Sequence, residues 1–146
     1  MLELDLNAGY INQTFDNPDF SENDSFVFNA SLLWEPTRLT TLQLSGARSV
    51  DTSNNPFLNG FLRTTGSLTV LHELRRNIVL DANVRYSDLS IANGADNGYQ
   101  FATYGALRYY LSKRWSLRFR AEYLDQNTVL FPGSQTRATA GLRYNF

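Results

Sequence analysis

Side chains along this chain alternate between apolar and polar with a period of two, in segment after segment, and the charges keep to one side of the alternation. That period belongs to a β-strand, where successive side chains point to opposite faces, and no stretch offers a competing helical period. Eight segments carry it: Leu2 to Tyr10, Phe26 to Trp34, Leu42 to Ala47, Leu62 to Val70, Ile78 to Ser87, Gln100 to Leu111, Trp115 to Tyr123 and Gln135 to Phe146. The fifth is the clearest, with Ile78, Leu80, Ala82, Val84 and Tyr86 opposed by Val79, Asp81, Asn83, Arg85 and Ser87.

The connections alternate as well. EPTR, LRRN and SKR are tight turns, whereas DNPDFSEND, Val50 to Gly60, Asp88 to Gly98 and QNTVLFPGS are long and rich in Asn, Asp, Gly, Pro and Ser. Arg38, Arg76 and Arg114 mark the short turns at a spacing of 38 residues, an internal repeat of one hairpin. The pattern predicts an all-β chain: an eight-stranded antiparallel up-and-down barrel of four hairpins, a single domain over residues 1–146, its first and last strands pairing. On closure Glu3 and Asp5 of the first strand face Arg137 and Arg143 of the last.

Alternation alone does not say which face points inward. A soluble barrel of the lipocalin kind turns its apolar face in to hold a lipid, and a membrane barrel turns it out. Three features favour the membrane. The apolar sides of the segments hold no charge, while the opposite sides hold Glu3, Asp5, Arg63, Glu73, Asp81, Arg85, Arg108, Arg118, Arg120, Glu122, Arg137 and Arg143. A charge facing lipid at mid-depth costs about 2 to 4 kcal/mol, so such a division is what a bilayer selects. Large aromatics stand near the apolar strand ends, Trp34, Tyr109, Trp115, Tyr144 and Phe146 towards the short turns and Tyr10, Phe26, Tyr86, Phe101 and Tyr123 towards the long loops, as in a pair of aromatic girdles. Short turns at one end and long loops at the other match the two ends of outer-membrane barrels. Arg48 breaks the rule: either a bulge shifts the register there, or the residue lies above the bilayer in a loop rim.

The rest of the composition excludes more than it selects. No apolar run reaches the roughly 18 residues of a spanning helix, and MLELDLNAGY has neither the basic region nor the apolar core of a signal peptide. Zero cysteines exclude a disulfide scaffold and a thiolate metal site. Neither a Gly-rich phosphate loop nor a metal-ligand cluster is present, and no basic cluster points to nucleic acid, so no cofactor is expected.

Two readings of the charged face stay open. It is a neutralising network filling a narrow barrel, or an anion path lined by Arg63, Arg85, Arg108, Arg118 and Arg120. The loops carry Asp16, Asp19, Glu22, Asp24, Asp51, Asp88, Asp96 and Asp125, which either stay solvated or hold divalent cations that bridge to lipopolysaccharide phosphates. His72, the one histidine, stands at a strand end beside a short turn with no serine placed to be activated, which reads as an interfacial residue before it reads as a catalyst.

The terminal run QTRATAGLRYNF resembles the closing strand of bacterial outer-membrane barrels, in which a final aromatic on the apolar face is part of the signal read by the insertion machinery; Tyr144 and Phe146 hold those places. The repeats LQLSGARSVDTSN, VLDANVRYSDLS and LRFRAEYLDQNT resemble the hairpins of bacterial outer-membrane barrels described as porins and associated with exopolysaccharide export. The resemblance implies a non-enzymatic outer-membrane protein with long loops extracellular and termini periplasmic. Its partners would be the bilayer, lipopolysaccharide and the insertion machinery. Family members are longer, which makes this chain comparable to a carboxy-terminal half, monomeric with a plugged lumen unless a second copy widens it. The alternatives are an anchor whose acidic loops bind a surface partner or polysaccharide and, further off, a lipid-modifying enzyme.

Overall fold

A computed structural model describes residues 1–13, 23–51, 61–91, 98–128 and 132–145. Within them every regular element is a strand: β1 (Leu2–Gln13), β2 (Asn23–Thr37), β3 (Thr40–Asp51), β4 (Phe61–Arg75), β5 (Ile78–Ile91), β6 (Gly98–Tyr110), β7 (Trp115–Asn127) and β8 (Gly133–Tyr144). Each pairs antiparallel with the next, in the order β1 to β8, as one meandering sheet. The eight alternating segments are thus the eight strands. The short connections lie where the repeated arginines stand, with Arg38, Arg76 and Arg114 each between the strands of a hairpin.

The strands outrun the alternating segments at the loop end. Asp24, Val50, Asp51, Asp88 and Gln126 were expected in connections and lie inside strands. Polar cross-strand contacts carry the ladders that far: Asn12 Nδ2 donates to Asp24 Oδ1 at 2.6 Å, and Gln100 Nε2 to Gln126 Oε1 at 3.3 Å. Strands of 12 to 15 residues exceed the roughly 9 to 11 that cross a bilayer's hydrocarbon, which leaves a polar collar beyond it.

The ladders are also sheared. Followed strand by strand, Leu2 at the start of β1 lies in one row with Trp34, Leu42, Val70, Ala82, Gly105, Ala121 and finally Ala138, while β8 runs on to Tyr144. Such a stagger accompanies strands that tilt across a barrel wall. The sheet does not close among the described residues: β1 and β8 share neither a ladder nor a contact, so the expected meeting of Glu3 and Asp5 with Arg137 and Arg143 is not formed. Both are edge strands, with nearly every side chain exposed.

Burial tells the faces apart. Asn83, Ser87, Ala106 and Ser116 are the buried side chains, and all four project from the charged face. Along β4 the alternation is direct, with Thr64, Gly66 and Leu68 exposed and Arg63, Thr65, Ser67 and Thr69 less so. Leu4, Leu44, Leu68, Val84, Phe119 and Leu142, all on the other face, are exposed. A water-soluble fold buries its large apolar side chains. This sheet curls around its charged face and turns its leucines outward, which only an apolar surrounding tolerates.

Candidate functional site

The site is the concave face together with the two ends of the convex one. On the concave face the register places Asp81 beside Ala106, Tyr104 beside Glu122, and Glu122 beside Arg137, so that β5 to β8 hold a run of charges at neighbouring positions. Tyr104 donates from its hydroxyl to Asp81 Oδ1 at 3.2 Å. The guanidinium of Arg120 lies over the Tyr104 ring at 3.8 Å, a cation–π contact, and its Nε reaches Glu122 Oε2 at 3.0 Å. Glu122 Oε1 is 3.6 Å from Arg137 Nε, and Asp81 Oδ2 is 4.0 Å from Arg118 Nη2. Asn83, Tyr104, Arg120, Glu122, Gln135 and Arg137 surround a depression of about 270 Å³.

Of the twelve charges assigned to this face, the structure therefore brings Asp81, Arg118, Arg120, Glu122 and Arg137 together. Arg63 pairs instead with Asp51, Nε to Oδ2 at 2.9 Å, a partner that had been expected in a loop. Asp5 accepts from Asn7 Nδ2 at 2.7 Å. Arg108 donates to the Tyr110 hydroxyl at 3.2 Å, and Arg143 Nε to Asn145 Oδ1 at 3.0 Å. Glu3, Glu73, Arg85, Arg108 and Arg143 make no ion pair among the described residues. These pairs are a quarter or more exposed, as Arg118 at 44% and Glu122 at 34% illustrate, so each stabilises by less than about 1 kcal/mol.

The aromatics of the convex face stand against aliphatic or aromatic partners. At the short-turn end Leu2 stands opposite Trp34, Ile78 opposite Tyr109, and Trp115 opposite Tyr144 with ring centroids 4.7 Å apart. At the loop end Tyr10 stands opposite Phe26 and Tyr86 opposite Phe101; Phe101 and Tyr123 lie 6.5 Å apart. Phe146, which was expected to complete the lower row and the insertion signal, lies outside the described residues. Two tyrosines were missed. Tyr104 stands on the charged face by simple parity, which was the available signal, and Tyr99 donates to Asp125 Oδ2 at 3.2 Å just above the upper aromatics.

Arg48 is resolved by the register. It stands opposite Phe28 and Thr64 with no bulge on either side; the irregularities fall at Trp34/Thr37 and Glu73/Arg75, beside the short turns. Its row continues through Thr64 to Asp88, Tyr99 and Asn127, a polar row at the loop end of the convex face. Arg48 thus stands on the convex face, towards the loop end of β3.

His72 accepts or donates through Nδ1 to Thr40 Oγ1 at 2.9 Å, and Thr40 is bonded in turn to Thr37 at 3.0 Å. Among the described residues no group of three or more His, Asp or Glu is placed to hold a metal.

An antiparallel meander, a charged concave face and an apolar convex face with aromatic ends describe a membrane barrel wall. Residues 2–146 match the family model described as "Putative beta-barrel porin 2". The chain belongs to that family. No curated protein and no solved structure matches it significantly. As a member of this porin family the chain is a porin-like β-barrel protein of the outer membrane.

Proposed function

We propose that this porin-family sheet is a non-enzymatic wall that lines an aqueous passage wider than eight strands enclose, with further strands added at the β1 and β8 edges. One observation carries it: among the described residues the two edges do not meet. In a bilayer, unpaired edge amides and carbonyls cost several kcal/mol each, so both edges need strands. Eight strands leave an interior that side chains fill, whereas Arg118 and Arg137 on the concave face remain 44% and 59% exposed. For the chain on its own, the strands at hand are those of another copy. β8 runs antiparallel to β1, and Arg137 and Arg143 on one edge complement Glu3 and Asp5 on the other.

The second reading is a barrel closed at eight strands and plugged, favoured by the linked pairs of Asp81, Arg118, Arg120, Glu122 and Arg137. Single-channel recording of the refolded chain in a planar bilayer separates the two. Discrete steps of porin size are expected; silence from protein verified as inserted supports the plugged barrel and overturns the open one.

A further inference from the structure

Arg108 of β6 and Arg118 of β7 are direct partners in their ladder and project from the same concave face. Directly opposed side chains have Cβ atoms about 4.5 to 5.5 Å apart, and like charges there destabilise a sheet. The surroundings neutralise the pair only in part. Their row runs on to Val79 on one side and Gly141 on the other, neither of them an acid. Asp81 reaches Arg118 only at 4.0 Å and also accepts the Tyr104 hydroxyl. Glu122 is taken by Arg120 and Arg137, and Glu73, opposite Val79, forms no ion pair among the described residues. Among the described residues the one hydrogen bond from the Arg108 side chain goes to the neutral Tyr110 hydroxyl, at 3.2 Å. On its far side Tyr110 is opposite Ser116, which is buried at 6% exposure, so hydroxyl groups floor the short-turn side of the pair.

We infer that Arg108 and Arg118 form an anion-binding clamp on the inner wall, and that the passage favours solutes carrying carboxylate or phosphate groups over cations. The inference rests on the aqueous-passage reading above. Guanidinium groups present planar donor pairs matched to those anions, and rings of Arg are a means by which pores select against cations. An anion between the two relieves their repulsion, and the half-exposed Arg118 keeps the contact weak enough to release it. The other ten of the twelve charges on this face balance, five arginines against five acids, so the positive excess there is this pair itself.

The test is the reversal potential of refolded channels in a KCl gradient, with inorganic phosphate then added as a blocking probe. The expected result is chloride permeability several-fold above that of potassium, with millimolar phosphate reducing the current. Arg108→Gln with Arg118→Gln should bring the permeability ratio towards one and abolish the phosphate block, while Arg108→Lys with Arg118→Lys should keep the chloride preference. Cation selectivity in the unaltered protein, or a chloride preference that the Gln pair leaves unchanged, overturns the clamp and leaves the passage standing. A channel that never opens overturns both.

Discussion

Trp115 at the start of β7 and Tyr144 at the end of β8 face each other across the last ladder, with ring centroids 4.7 Å apart and planes tilted by 48°. The pair ties the two ends of the final hairpin together at the short-turn rim, where an indole N–H and a phenol hydroxyl can stay wet while their rings lie in the apolar layer. Substitution Trp115→Ala, Tyr144→Ala and both together, followed by urea unfolding from lipid vesicles, should give a coupling energy of about 0.5 to 1.5 kcal/mol. Additivity within error would show that the rings act separately.

Ala121 occupies the middle of β7 on the convex face, opposite Gly105 and Ala138. Ala121→Arg should destabilise the inserted protein by about 2 to 4 kcal/mol, the cost of a cation at the bilayer midplane. Gln135→Arg, on the concave face, should cost little and alter conductance instead. Equal costs at the two positions would contradict the assignment of faces.

Gly98 opens β6 against the end of β7, where an added Cβ would stand 2.9 Å from the Asn127 carbonyl oxygen and 3.3 Å from Thr128 Cα. Both neighbours are backbone, so neither can swing aside. Gly98→Ala should cost about 1 to 3 kcal/mol in the same unfolding measurement, whereas Gly141→Ala, with open space around it, should be nearly neutral.

The edge-to-edge seam is testable because the chain has no cysteine of its own. Copies carrying Glu3→Cys or Asp5→Cys, mixed with copies carrying Arg143→Cys before refolding, should give disulfide-linked dimers under oxidation, since paired strands bring Cα atoms within the roughly 4.4 to 6.8 Å that a disulfide spans. If only a chain bearing both substitutions cross-links, and does so within itself, the barrel closes at eight strands.

The meander was legible because a face that meets lipid cannot tolerate charge and a face that meets water can, which writes the strand period into residues such as Asp81, Asn83 and Arg85 against Leu80, Ala82 and Val84. Strand ends were harder to read. Asp24, Asp51, Asp88 and Asp125 look like loop residues by composition, yet they continue the ladders once Asn12, Arg63, Ser90 and Tyr99 provide cross-strand or neighbouring partners. The two alternatives at Arg48 turned on register, and only the pairing with Phe28 and Thr64 decides between them. Within the candidate site parity placed the charges on their face, but pairing depends on which strand positions stand abreast. Glu122 meeting both Arg120 and Arg137, and Arg108 meeting Arg118, follow from the ladder register rather than from any spacing along the chain. Closure was expected because eight strands can close; among the described residues the edges of β1 and β8 are not paired.

Everything proposed for this chain depends on the charged face looking into the barrel and the apolar face into lipid. The most direct measurement places one environment-sensitive fluorophore on a cysteine at Ala121 and, in a second variant, at Gln135, in protein inserted into vesicles. Strong quenching is expected at Ala121 by a quencher attached to the lipid chains and at Gln135 by a water-soluble quencher. The opposite pattern would turn the barrel inside out and overturn this assignment of faces.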